Sequence, residues 1–120
     1  MYIWRIQVRV SRMNKLFDKA AYPTSVDFSS VEADWRREGF SFGIFRDPPG
    51  QEWNDFTHRS DEYVLVAEGQ LRIDVGNETS VCEAGDLVRI PRQVPHSLKT
   101  LSAGGSVWLY GYGFWDEVHE

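Results

Sequence analysis

The sequence predicts an all-β domain, a sandwich or a barrel, and three observations carry that prediction. From Phe40 onward, short apolar or alternating runs follow one another at close spacing. Glycine, proline and asparagine punctuate them at nearly every boundary. Helix signals are scarce, and only "SSVEADWRRE" offers one, with Ser29 or Ser30 as N-cap and Glu32 in the first turn. That stretch is weakly periodic, so it predicts at most one short helical turn.

The elements follow in order. Residues 5–11 alternate, with Ile6, Val8 and Val10 against Arg5, Gln7, Arg9 and Ser11, the period of a half-buried strand. They lie in an arginine-rich segment, 1–12, which is an extension if Met1 starts the native chain and is lost if Met13 does. "FSFGIF" reads as a strand and "RDPPG" as a turn, because Pro48 and Pro49 bar regular pairing. "EYVLVAE" is a strand ended by Gly69, and "QLRIDV" alternates Leu71, Ile73 and Val75 against Arg72 and Asp74. "GNE" turns the chain into "TSVCE", and "AGD" turns it into "LVRI". "PRQVPH" leads to "SLKTL", and "SVWLYGYGFW" closes the series. No linker divides the 120 residues, so one domain spanning 1–120 is expected, with a barrel core over about 40–114.

Composition narrows the function classes. Apolar content of 42% beside 26% charged residues is that of an ordinary water-soluble domain. The net charge is −5, and the three arginines of residues 1–12 leave the remainder at −8. An acidic body repels phosphate backbones and anionic lipid, which disfavours nucleic acid and membrane as partners. No apolar run approaches the length of about 20 residues that spans a bilayer. Cys82 is the single cysteine, so no internal disulfide and no thiolate cage can form, and a cytoplasmic location is expected.

The chemistry concentrates in "DFTHRSDEY", residues 55–63, and in "GDLVRIPRQVPHSLKT", residues 85–100. If the first were one strand, Phe56, His58, Ser60, Glu62, Val64 and Val66 would share a face. Val64 and Val66 are apolar and face inward, so His58 and Glu62 would too. A buried carboxylate needs a compensating charge, and a bound cation offers one. In the second segment Pro91 ends a strand and His96 heads the next. Two imidazoles and one carboxylate suit a divalent transition metal and leave coordination positions open. The competing reading pairs Glu62 with Arg89 or Arg92 and holds no metal.

Together the two segments resemble the paired motifs of the cupins. Gly50 is followed by five residues, then Phe56, Thr57 and His58; Glu62 comes four positions after His58, and Gly69 seven after Glu62. Gly85 is followed by five residues, then Pro91, Arg92 and Gln93, and His96 three positions later. The sequence departs from the motifs at Phe56, where the family usually has its first histidine, at Gln93 in place of glycine, and at Thr100 in place of asparagine. The resemblance implies an antiparallel jelly-roll β-barrel and a metal held by His58, Glu62 and His96, the ion being iron, manganese, nickel or zinc. It further implies a homodimer in which an N-terminal strand such as residues 5–11 lies on the partner's sheet. Two function classes follow: a metal-dependent oxygenase, isomerase or lyase acting on a small molecule, or a non-catalytic binding or sensing module with a structural metal or none.

Around the triad, Trp53, Asp55, Phe56, Tyr110 and Tyr112 are the expected pocket or supporting residues. Asp55 has the wrong parity for a ligand, and Phe56 would form a wall. A pocket tyrosine or Glu52 are the candidates for a general base. Trp108, Tyr110, Tyr112 and Phe114 share one face of the last strand, and the opposite face, with Gly111 and Gly113, has little to pack. Phe114 and Trp115 are expected in the core, Cys82 as a buried inert thiol, and His119 in the tail.

Overall fold

A computed structural model describes residues 15–116. The alternating segment 5–11 and His119 lie outside the described residues, and with them the expected N-terminal strand.

Nine strands and one helix form the architecture among these residues: β1 (Phe17–Asp18), α1 (Phe28–Arg37), β2 (Gly43–Asp47), β3 (Glu52–Phe56), β4 (Asp61–Glu68), β5 (Gln70–Val75), β6 (Glu78–Glu83), β7 (Leu87–Ile90), β8 (His96–Thr100) and β9 (Ser106–Gly113). All pairings are antiparallel. One sheet runs β1-β7-β4-β9-β2 and the other β3-β8-β5-β6. The all-β expectation holds: strand β5 falls on the residues that alternation marks, and β7 on the "LVRI" that follows the "AGD" turn.

The helix is longer than the single turn expected. It covers ten residues, and its N-cap is Asp27, not Ser29 or Ser30. The Asp27 carboxylate accepts from the Ser29 N–H at 3.1 Å and from the Ser30 hydroxyl at 3.0 Å, satisfying the start of the helix. Val31 and Trp35, four apart, are buried, and Arg36 pairs with Glu32 one turn back at 2.8 Å. Tertiary packing of these two side chains, more than periodicity, sustains the helix.

What α1 packs on explains a second departure. Strand β4 is buried on both faces, from Asp61 to Ala67. Val64 and Val66 join Leu71, Ile73, Val88 and Trp108 between the two sheets. Tyr63, Leu65 and Ala67 point the other way and join Val31, Trp35, Phe40, Val107 and Leu109 in a second core under α1. The face of β9 that carries Gly111 and Gly113 is therefore packed, not empty. A Cβ on Gly111 would stand 2.2 Å from the Ser41 carbonyl oxygen and 2.8 Å from the Trp35 ring. One on Gly113 would stand 2.6 Å from Phe40. The glycines are there so that the helix layer can approach.

Trp115 packs on Phe40 and Tyr63 as expected of core, but Phe114 is 36% exposed, with the Arg92 guanidinium 5.1 Å above its ring. Strand β9 ends at Gly113, so alternation no longer carries Phe114 inward. Cys82 is buried between the sheets, and burial pushes its thiol above the ordinary range.

Candidate metal centre

Three different devices position the three candidate ligands. Glu62 is the second residue of β4, in register with Ile90 of β7 and Tyr112 of β9. Its backbone is thus fixed from both sides in the middle of the five-stranded sheet. His96 opens β8 in the facing sheet, in register with Phe56 of β3 and Val75 of β5. His58 lies in the four-residue crossing between β3 and β4, and its carbonyl accepts the Gln93 N–H at 2.9 Å.

That crossing corrects the single-strand reading of residues 55–66. β3 ends at Phe56 in one sheet, and β4 begins at Asp61 in the other. No common parity runs through the stretch, yet His58 still arrives beside Glu62, because the chain crosses between the sheets at that point. Phe56 and Glu62 belong to the two different sheets.

The nitrogen and oxygen atoms that His58, Glu62 and His96 offer all lie within 4.8 Å of one another. Glu62 Oε1 is 3.5 Å from His58 Nε2 and 3.3 Å from His96 Nε2. Two donors about 2.1 Å from a common ion are separated by roughly 3.0 to 3.4 Å at ordinary coordination angles. Glu62 and His96 are buried, while His58 is about one-third exposed at 30%. Glu62 Oε1 itself is buried and has no hydrogen-bond partner. A desolvated carboxylate oxygen without a donor is costly, and a cation at that point would relieve it.

The tautomer of His96 fits the same role. Its Nδ1 sits 3.1 Å from the Val94 carbonyl, which can only accept, so Nδ1 carries a proton, and in the neutral imidazole Nε2 is then the lone-pair nitrogen facing Glu62. Neither arginine of the competing reading reaches Glu62. Arg92 bonds the Asp61 carboxylate and Asp116, and Arg89 pairs with Asp18 at 3.4 Å.

Of the aromatic residues expected near the triad, Tyr112 and Phe56 have rings beside its imidazoles, while Tyr110 and Trp53 meet those two rings. The Tyr112 ring is 4.9 Å from that of His58, and its hydroxyl is pushed up to about 12 by burial first and by the Glu62 charge second. It stays protonated at neutral pH and can donate, but it is a poor base. Tyr110 lies 5.7 Å from Tyr112 and 5.0 Å from Phe45. Trp53 is half-buried, with Phe45 at 5.5 Å and Phe56 at 6.0 Å. Phe56 stands edge-on to His96 at 6.5 Å and is 41% exposed. Asp55 is exposed in a bulge at φ +58, where its N–H donates to Ser97 Oγ; it makes no contact with the triad among the bonds described. Glu52 is exposed and faces Lys99 at 3.7 Å, away from the candidate ligands.

Three residues with a hand in the site escape sequence reasoning. Asp47, in the stretch expected to be a turn, is buried and accepts both indole N–H groups, of Trp53 and Trp108, each at 2.9 Å. Phe45 joins the two aromatic walls. Gln93, in the motif's glycine position, has φ +67, and its N–H holds the His58 carbonyl. The motif position itself is the signal for Gln93: a glycine there marks left-handed backbone.

Comparison with known proteins agrees with the fold. The structure resembles the TT1209 protein from Thermus thermophilus, with a TM-score of 0.57 at 22% identity over 62% of this chain and 73% of that one. It resembles an RmlC-like cupin from Shewanella frigidimarina with a TM-score of 0.57 at 21% identity, over 68% of this chain and 71% of that one. It also resembles salicylate 1,2-dioxygenase from Pseudoaminobacter salicylatoxidans in complex with gentisate, with a TM-score of 0.57 at 22% identity, over 61% of this chain but 20% of the dioxygenase. These likenesses establish the fold alone. No curated protein matches the chain in sequence. The family profile described as "Cupin domain" matches residues 43–112, more than half of the chain. The chain belongs to the cupin family.

Proposed function

We propose that His58, Glu62 and His96 hold one divalent transition metal, iron, manganese, nickel or zinc, and that the chain is a metal-dependent enzyme of oxygenase, isomerase or lyase type acting on a small organic molecule. The observation that carries this reading is the buried, unpartnered Glu62 Oε1 facing two imidazole nitrogens. When bound, such a metal supplies Lewis acidity and, for iron, access to dioxygen chemistry. The chain's own residues do the rest. The Val94 carbonyl holds His96 in the ligating tautomer, Gln93 ties the His58 loop to the loop that carries His96, and Phe56 shields the imidazoles where a fourth ligand would stand. The Tyr112 hydroxyl remains a proton donor beside His58. Three protein ligands leave room for substrate, which favours catalysis over a closed structural site.

Phe56 also favours the second reading, a non-catalytic binding or sensing module, since it removes one ligand from the family's usual set. A homodimer is part of the proposal in either case.

Metal content separates the readings. Protein purified without chelator or affinity tag is analysed by inductively coupled plasma mass spectrometry beside His58→Ala, Glu62→Ala and His96→Ala, with folding followed by circular dichroism. Near-stoichiometric metal in wild type and its loss from each folded variant is the expected result. A wild type that holds no metal and takes up none of the four ions overturns the enzyme reading and leaves the binding module.

A further inference from the structure

The aromatic contacts around the candidate metal centre close on themselves. His58 touches Tyr112 at 4.9 Å, Tyr112 touches Tyr110 at 5.7 Å, and Tyr110 touches Phe45 at 5.0 Å. Phe45 then meets Trp53 at 5.5 Å, Trp53 meets Phe56 at 6.0 Å, and Phe56 returns to His58 at 6.4 Å. The circuit draws on both sheets: Phe45, Tyr110 and Tyr112 come from β2 and β9, and Trp53 and Phe56 from β3. All six side chains are half-buried or exposed, whereas Glu62, His96, Val75, Leu98 and Trp108 behind them are buried. These half-exposed rings border a buried floor, on which Phe45, Trp53 and Tyr110 pack, and the surface they offer to a ligand is almost wholly π.

The charges around the circuit point the same way. No lysine or arginine belongs to the circuit, and the nearby cations are engaged elsewhere: Lys99 with Glu52, Arg92 with Asp61 and Asp116. Arg46 alternates with Phe45 on β2 and is exposed, and Arg59 is exposed in the crossing loop. A ligand body lying against these rings would meet ring faces and edges, tyrosine hydroxyls and the metal, but no fixed positive charge at a second point.

We infer that the ligand of this site is a flat, unsaturated ring that carries its oxygen or nitrogen donor atoms along one edge and no second charged group. The inference rests on the metal reading above and extends it to the class of substrate. Ring surfaces reward a planar π body through stacked and edge-on contacts, while an aliphatic acid or a sugar would lose water to these rings without finding comparable partners. A dianion would leave its second charge against apolar surface.

Matched hydroxamates test it, because they present the same donor pair on different bodies. Metal content of the full chain is read first, and benzohydroxamate, cyclohexanecarbohydroxamate, acetohydroxamate and 4-carboxybenzohydroxamate are then titrated by isothermal calorimetry. Benzohydroxamate is expected to bind at least about 10-fold more tightly than acetohydroxamate, and more tightly than either other probe. In Phe56→Ala, an exposed position that leaves the core intact, and in Trp53→Leu, the preference for benzohydroxamate over acetohydroxamate is expected to fall at least about 3-fold with metal retained. A metal-loaded protein that binds the phenyl, cyclohexyl and methyl probes equally, or prefers the 4-carboxy probe, overturns the inference and leaves the metal reading standing. A preference unchanged in both variants does the same. If wild type holds no metal, the metal reading fails by itself, and benzohydroxamate is titrated into the metal-free chain. Binding there that Phe56→Ala weakens retains the ring ligand, and no binding removes it.

Discussion

The two faces of the five-stranded sheet are built from alternate residues of the same strands, yet they have different tasks. On β4 the outward set is Tyr63, Leu65 and Ala67, and on β9 it is Val107, Leu109, Gly111 and Gly113. This face is covered by α1, with a cleft of about 470 Å³ beside it lined by Tyr22, Asp34, Trp35, Glu38, Tyr63 and Arg89, and two of its hydroxyls are matched: Tyr63 donates to Glu38 at 2.7 Å and Tyr22 to Asp34 at 2.8 Å. The inward set is Glu62, Val64 and Val66 on β4 with Trp108, Tyr110 and Tyr112 on β9. This face is packed around Val64, Val66 and Trp108, and beyond them it leaves a carboxylate oxygen without a hydrogen-bond partner. Among the described residues the outer face leaves a neutral donor, Trp115 Nε1, without a hydrogen-bond partner, whereas the inner face leaves a carboxylate oxygen so, and the costlier orphan points to function more than to stability.

The largest expected effect belongs to the outer face. Trp35→Ala removes a side chain that is 1% exposed and touches Tyr63 at 5.2 Å and Phe42 at 5.8 Å. A loss of about 3–5 kcal/mol is expected in denaturant unfolding, with metal content per folded molecule unchanged. Loss of metal from the still-folded variant would show that the two faces are not separable.

Next comes the strap that leads to α1. Asp86 accepts from the Ala20 N–H at 2.8 Å, the Glu83 N–H at 2.9 Å and the Lys19 ammonium at 3.0 Å. Burial pushes its carboxyl up, but these donors outweigh burial and hold it below the ordinary carboxylate range. Its stabilisation is therefore complete above about pH 4 and is lost as pH falls through the lowered folded value. Asp86→Asn is expected to cost about 1.5–3 kcal/mol at pH 7, with the gap to wild type closing below pH 4 in thermal melts. A gap that widens with acid would reverse the sign and contradict this account.

On the inner face, Phe56→His restores an imidazole opposite His96 in the β3–β8 register. Metal affinity is expected to rise roughly tenfold in competition with a chromophoric chelator. An unchanged affinity would place the Phe56 position outside the coordination sphere. The smallest effect is expected at Gln93, whose φ of +67 costs a non-glycine residue about 1–2 kcal/mol, against the entropy that glycine brings to the unfolded chain. Gln93→Gly should stabilise by about 0.5–1 kcal/mol by calorimetry, and a destabilised variant would mean that the Gln93 side chain carries more than the backbone bond to His58.

Much of the inner face was legible in the sequence because its signals are local or fixed in spacing. Alternation marks β5, and the spacing of the anchors Gly50, His58, Glu62, Gly69, Gly85, Pro91 and His96 points to three candidate ligands, from the two sheets and the crossing between them, that lie within 4.8 Å. The outer face was hidden, since its logic is non-local. Gly111 looks like a gap in a strand until Trp35 and Ser41 arrive against it, and α1 looks like one turn until β4 and β9 give Val31 and Trp35 a surface. The four residues between Phe56 and Asp61 defeat parity for the same reason: pairing partners in two sheets, not the local pattern, decide where the strand breaks.

The central claim is that Glu62 is kept unpaired for a metal. Thermal unfolding by scanning calorimetry, with and without manganese or zinc at about 100 times the dissociation constant, tests it in wild type and Glu62→Gln. Wild type should gain about 2.7 kcal/mol, a rise of roughly 10 °C, while Glu62→Gln should not respond to metal and should melt no lower than metal-free wild type. Equal metal-induced shifts in the two proteins, or a metal-free variant markedly less stable than wild type, would contradict the account.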